Sequence, residues 1–422
     1  MMVEPSDRAL TRMVLFPSEW VRRRVETVSY SESGETRHRV SLDIQVPAGY
    51  LEHFQGREAV PVPLGLLRKA PLARFDMRDA QGSALPVLET PANGAIAERV
   101  LITALQAAEA CREVPPEDVA RAVHNVVYAE PSDADAVAST LRSLLGSSSD
   151  DGPAAIALQL ARELAHCFLL VVSCPRETVE YRTVLKFEYE DAISVEGGFR
   201  WPKSDLAIEL DCPAMGSCAS FHIEVRTPNG TGCRELLIGR EQGTPGGGSL
   251  HRFAGRGPTA HANFAPGFLE SGFRAQVVLV PERRGIVTWA AGASCTLASA
   301  FIGTAFAWDH GLLELLQDPG TGAALAAVVL AIPAFLFALL ARTPEHFLVS
   351  RILRPARRTL LGTSLLMLCA ASTMIIAPSF GFRVMLGIGM LQALLAARAI
   401  LAWKASDPGP IVTGTAQSTE KG

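Results

Sequence analysis

Four long apolar segments crowd the last third of the chain, at Ile286 to Trp308, Pro319 to Ala341, Thr359 to Phe382 and Val384 to Trp403. The first three carry no charged residue and the fourth only Arg398, and nothing comparable precedes residue 285. An α-helix rises about 1.5 Å per residue, so about 20 residues cross the roughly 30 Å hydrocarbon layer of a bilayer. Each segment is long enough. Core helices of soluble proteins rarely run so far without a charge, so the pattern predicts an all-α domain of four transmembrane helices. Trp289 and Trp308 lie 19 residues apart, roughly 28 Å along a helix, which suits one indole at each interface. Trp403, next to Lys404, marks a span end in the same way.

Orientation follows from the short connections, because Lys and Arg near span ends stay on the cytoplasmic side. Arg274, Arg283 and Arg284 precede the first span, and Arg342, Arg351, Arg354, Arg357 and Arg358 fill the connection between the second and third. Residues Asp309 to Gly320 contain no Lys or Arg and carry Asp309, Glu314 and Asp318, while the turn between the third and fourth spans offers only Arg383. A multi-pass protein of the cell membrane is expected, with both termini cytoplasmic. The first residues lack a basic region followed by an apolar run, so no signal peptide opposes this orientation.

The formal charge of −4 over 422 residues is far from the basic balance of a nucleic-acid binder. The basic residues are mostly Arg and the chain is rich in Ala and Gly, a bias that points to a GC-rich bacterial genome. Of the eight cysteines, Cys111, Cys167, Cys174, Cys212, Cys218 and Cys233 precede the spans, and Cys295 and Cys369 fall inside them. A reducing cytoplasm would keep most as thiols. An inverted topology would instead make Cys212, Cys218 and Cys233 disulfide candidates.

The front part reads as α+β in three units. Residues 1–91 are β-rich: Val40, Leu42, Ile44 and Val46 alternate with polar neighbours, and Phe75, Met77, Leu85 and Val87 flank a turn at Asp79 to Gly82. Residues 92–174 form a helical unit. Ala97, Val100, Leu101, Ala104, Leu105, Ala108 and Cys111 fall at helical spacing; Pro115 and Pro116 open a second helix; Ser132 caps a third through Leu145; and Ile156, Leu160, Leu164, Phe168 and Val172 mark a fourth. Residues 175–284 regain period-2 alternation, with Val179 to Tyr189, Leu206 to Leu210, Ala219 to Val225 and Phe273 to Val280 as strands of an antiparallel β-sandwich. Residues 285–404 are the transmembrane domain and 405–422 a disordered cytoplasmic tail.

Candidate chemistry is sparse. Cys212, Cys218, His222 and Cys233 resemble a zinc set, but four residues along a strand separate Cys218 from His222 by about 13 Å, far beyond the reach of one ion. His166 and Cys167, as helix neighbours, would point about 100° apart, and a satisfied core histidine is expected. Glu188, Glu190, Asp191, Glu209 and Asp211 alternate with core residues as solvent-facing side chains do, and Arg22 to Arg24, bracketed by Glu19 and Glu26, reads as a solvated face. No Walker loop, GxGxxG after a strand, HExxH or GxSxG occurs. No catalytic, cofactor-binding or metal-binding residue is therefore assigned, and a non-enzymatic role is expected.

The first three spans lack ionisable side chains between their ends, whereas ion and proton pathways usually need them. Arg398 lies close enough to the cytoplasmic end of the fourth to snorkel. Gly292, Gly303, Gly362, Gly387 and Gly389 favour close helix contacts, within the chain or in an oligomer, and Pro333 predicts a packing kink in the second span. Thr343, Pro344 and Glu345 start a short helix expected to stop at Pro355, with Leu348 and Ile352 on one side. Arg351, Arg354, Arg357 and Arg358 on it either set topology or contact anionic lipid headgroups. The expected partners are the bilayer and a cytoplasmic protein bound by a scaffold or sensor. The alternative is a subunit of a transporter or channel.

Overall fold

The computed structural model describes residues 4–32, 34–69, 73–146, 152–192, 194–196, 205–211, 218–240, 251–254, 257–264, 273–310, 346–376 and 381–405. Helix α1 (Pro5–Leu15) leads into a hairpin of two ten-residue strands, β1 (Val21–Tyr30) and β2 (Glu35–Ile44). After α2 (Ala48–Glu52) come β3 (Ala59–Arg68) and β4 (Ala73–Arg78). The helices α3 (Thr90–Ala107), α4 (Pro116–Val127), α5 (Ala134–Leu145) and α6 (Gly152–His166) follow. Next are β5 (Cys167–Pro175), the one-turn α7 (Arg176–Val179), β6 (Thr183–Ala192), β7 (Ser194–Glu196), β8 (Leu206–Asp211) and β9 (Phe221–Arg226). Strands β10 (Thr231–Arg240), β11 (His251–Ala254), β12 (Thr259–Phe264) and β13 (Phe273–Pro281) complete the mixed α+β part.

One sheet has the order β12-β9-β1-β2-β6-β4 and a second the order β11-β10-β13-β8-β7, while β3 and β5 pair by themselves. Strands β1, β2 and β4, from the first 91 residues, thus share hydrogen bonds with strands beyond residue 175. The pairing is not wholly antiparallel, because β1 runs parallel to β9 in the register Arg24 to Phe221 through Val28 to Val225. Leu42, Leu185 and Ile223 of the first sheet and Ile208, Leu236 and Val277 of the second lie in one hydrophobic core, which continues to Leu101, Val123 and Leu164 of the helices. Each such fully buried side chain contributes roughly 1.5–3 kcal/mol.

Three local expectations need correction. The fourth helix of the helical unit stops at His166, and Phe168 and Val172 lie in β5, which pairs with β3 along its length. A continuous apolar run suits a fully covered strand as well as a helix, so spacing alone does not separate them. Val179 closes α7 rather than starting a strand, because Pro175 sets up a helical turn and β6 begins at Thr183. The turn at Asp79 to Gly82 forms, with Asp79 N–H donating to Ser83 O (3.0 Å), but its second arm makes only isolated bridges at Ala84 and Val87.

Helices α8 (Ile286–Asp309), α9 (Phe347–Ile376) and α10 (Gly381–Ala405) form a bundle. Val287 packs with Val349, Leu353 and Trp403; further along, Ala290 meets Leu360; furthest out, Phe301 and Ala305 meet Met367 and Met385. Helices α8 and α9 therefore run in one direction and α10 returns. Among the described residues two helices are long and apolar enough to cross a membrane, Ile286–Ala307 and Arg383–Lys404, each 22 residues. The expected second span, Pro319 to Ala341 with Pro333, and the tail from 406 lie outside the described residues.

Gly389 sets the closest approach in this bundle, since a Cβ there would stand 2.9 Å from Ile302 Cγ1 and 3.3 Å from Ile302 N. Among the described residues nothing lies within 4 Å of a Cβ placed at Gly387. Gly389→Leu is expected to destabilise the detergent-solubilised chain by about 1–3 kcal/mol through overpacking, with Gly387→Leu close to neutral. Thermal melts of the two variants check this.

Candidate functional site

The sheets and the helices meet at a seam made of two connections. One is covalent, since only Glu282 to Gly285 separate β13 from α8, and Glu282 N–H donates to Gly230 O (2.9 Å). The other is packing. Leu348 and Ile352, in the first turns of α9, are fully buried and belong to the same core as the sheets. Gly34, in the β1–β2 turn, has φ +92°, and Gly230, before β10, has φ +87°, a backbone region that glycine enters without cost. The Phe347 ring stands 3.5 Å from where a Gly34 Cβ would be, and Val349 Cγ1 3.8 Å from that of Gly230. Arg283 lies over the Trp403 ring at 4.7 Å, within cation–π range.

The short helix expected to end at Pro355 is instead the beginning of the 30-residue α9. His346 Nδ1 accepts from Leu348 N–H (3.2 Å) at its start; Thr343 to Glu345 lie outside the described residues. Proline removes one helical hydrogen bond, but here Ile352 and Leu353 before it and Ala356 and Leu360 after it are packed. Packing on both sides holds the helix together across the gap. Leu348 and Ile352 accordingly face the folded domain rather than a membrane surface. On the same helix Arg354 and Arg358 are exposed and Arg351 and Arg357 half-buried. Trp289 is exposed, Trp403 is part of the seam, and Trp308 falls in the last turn of α8.

Inside the first sheet lies a charge network that the sequence concealed. Arg24 is 2% exposed, Glu26 1% and His38 3%. Arg24 Nη2 donates to Glu26 Oε2 (3.0 Å), and His38 Nδ1 is 2.8 Å from Glu26 Oε1. His38 stacks on Tyr189 with ring centroids 4.7 Å apart, and the Arg24 guanidinium lies 5.7 Å above Phe187. Arg22 and Arg23 are solvated as expected, but Arg24 is not. The signal was parity: Arg24 and Glu26 share the inward face of β1 with Val28. Glu190 is likewise buried, 3.2 Å from Arg74 Nη1, and is not solvent-facing.

Burial alone would raise the Glu26 pKa, but Arg24 and His38 outweigh it and hold it at about 2, against 4.5 for a free carboxyl. A depressed carboxylate stabilises the fold above the unfolded value and loses that contribution as pH falls through the folded one. Stability is therefore expected to fall between pH 4.5 and 2, by on the order of 3 kcal/mol from this group, and the melting temperature to fall with it. A Glu26→Gln variant, less stable at neutral pH, should show a flatter profile over that window.

Cys218 faces the core while His222 points to the opposite side, 5.6 Å from His261 between ring centroids, so these two residues lie on opposite faces of the sheet. Cys233 is buried and Cys212 lies outside the described residues. Among the described residues no three His, Cys, Asp or Glu gather as metal ligands, and the described cysteines form no disulfide. His166 is half-exposed rather than a core residue, its Nε2 3.2 Å from Asp135 Oδ1.

A second feature missed from the sequence lies within the bundle. Ser294, Thr363 and Gln392, one from each helix, are fully buried. Gln392 Nε2 donates to Thr363 Oγ1 (2.9 Å), whose oxygen is 3.2 Å from Ser294 Oγ, and among the described residues Gln392 Oε1 has no hydrogen-bond partner. A search for ionisable side chains passes over such neutral groups, yet they tie helices together in apolar surroundings. Set against known proteins, the chain matches no family model and no curated protein.

Proposed function

We propose that the chain is a multi-pass protein of a bacterial cell membrane, with the folded domain and the tail in the cytoplasm, and that it has no enzymatic role. In this reading the domain binds a cytoplasmic protein partner, and the seam transmits that event to the helices as a scaffold or sensor would. The observation that carries it is the burial of Leu348 and Ile352 in the core of the sheets, because a domain that shares its core with a helix end cannot shift without moving that helix. Four spans are part of the proposal. His310 and His346 sit at opposite ends of the bundle, and the expected second span lies between them in sequence.

Lipid as the surrounding solvent is supported by large apolar side chains on the outside of the bundle, among them Trp289, Phe306, Leu365, Met390 and Leu394. Only 28% and 33% of the two apolar windows are covered, whereas core helices are covered nearly throughout. Sidedness is supported by Arg283, Arg284, Arg354, Arg358 and Lys404, all at the sheet end of the helices, where the other end has Asp309 and Arg383. Protease added to sealed cells should leave the front domain intact and digest it after permeabilisation; digestion in sealed cells would refute the orientation. The polar cluster Ser294–Thr363–Gln392 favours a second reading, a transporter or channel subunit. Ion or solute flux in reconstituted vesicles separates the two.

A further inference from the structure

A cavity of about 160 Å³ opens between α8, α9 and α10 next to the seam. Its polar lining includes Arg358 and Thr359 of α9 and Arg398 of α10, and its apolar lining includes Val287, Leu395 and Ala399. None of the described lining residues is acidic. The volume equals about five waters of liquid, room for a phosphate ester and a few methylenes but not for hydrocarbon chains. We propose that this cavity holds the headgroup of one anionic phospholipid, its phosphate taken by Arg358 and Arg398 and its chains lying along the helices.

Two arginines in one cavity match a phosphodiester, which accepts hydrogen bonds from both guanidinium groups. The apolar wall argues for a lipid over free phosphate, since inorganic phosphate would desolvate against Val287 and Leu395 without return. Of the four arginines expected to meet headgroups, only Arg358 lines the cavity; Arg398, expected merely to snorkel, joins it. The site lies beside Val287 and Pro355, so its occupant would brace α9 just below the turns that enter the sheets. This inference rests on the reading of α8 and α10 as membrane-spanning.

The test uses the full chain in a neutral detergent, with bound lipid counted by native mass spectrometry during titration with dioctanoyl phosphatidylglycerol, dioctanoyl phosphatidylcholine or inorganic phosphate. One phosphatidylglycerol should bind, weakened roughly fivefold by either Arg358→Gln or Arg398→Gln and roughly 25-fold by both. Arg354→Gln, exposed on the same helix and outside the lining, should bind as wild type. Ala399→Leu, which fills the cavity and keeps both arginines, should also lose the lipid. Unchanged binding by the double variant or by Ala399→Leu overturns the site, as does equal weakening by Arg354→Gln. Equal binding of phosphatidylcholine or of inorganic phosphate overturns the ligand. A chain that binds no lipid yet stays in alkali-washed membranes refutes this site alone, while a chain released by alkali refutes the membrane reading as well.

Discussion

Replacing Glu26 with leucine is expected to cost the chain about 3–5 kcal/mol, because Arg24 would keep its charge inside the sheet without a carboxylate beside it. Arg24 is 2% exposed and donates to Glu26 from both Nε and Nη2, so water cannot replace the lost partner. For a folded region of this size the melting temperature should drop by roughly 2–4 °C per kcal/mol. Replacing both partners, Arg24→Met with Glu26→Leu, should recover most of the loss, since an apolar pair of similar volume carries no desolvation cost. The four melts form a double-mutant cycle. A double variant as unstable as Glu26→Leu alone would mean that the pair stabilises more than its own charges, through His38 and the ring of Tyr189.

The second large effect concerns the seam. Leu348→Glu places a carboxylate where the core of the sheets is closed, and separation of the seam is the cheapest relief, because it frees the side chain without breaking the strand pairing of the sheets. Deleting a buried leucine side chain already costs about 2–5 kcal/mol. Backbone amides near Gly34 and Gly230 should then exchange with solvent at least roughly thirtyfold faster, while those in β2 and β6 keep their protection. Phe347→Ala should give a much smaller change, as Phe347 is half exposed. Global loss of protection after Leu348→Glu would show that the sheets need α9 in order to fold.

Much of this architecture was legible from local pattern, and the failures have common physical causes. Helix α4 and strands β2 and β6 declare themselves because one face is wet, so period and burial coincide. Strand β5 is covered on both faces and carries no period to read. The partnership of β1 with β9 joins residues near 24 to residues near 221, and no local signal encodes a pairing across that distance. Arg24 and Glu26 misled by residue type, since charged side chains are seldom buried, although their parity on β1 placed them inside. Pro355 misled as a helix stop because a lost hydrogen bond is offset by packing that only the assembled fold reveals. Leu348 and Ile352 were recognised as one apolar side, but an apolar side does not say whether lipid or protein will cover it.

The seam requires the sheets and helices α8 to α10 to share one packed body. Cysteines placed at Gly230 and Val349 test this directly, since Val349 Cγ1 lies 3.8 Å from where a Gly230 Cβ would be. In membranes washed with alkali and mildly oxidised, peptides carrying positions 230 and 349 are expected as one disulfide-linked species that reductant separates. Recovery of the two peptides as free thiols, or of the chain in the alkaline wash, would contradict it.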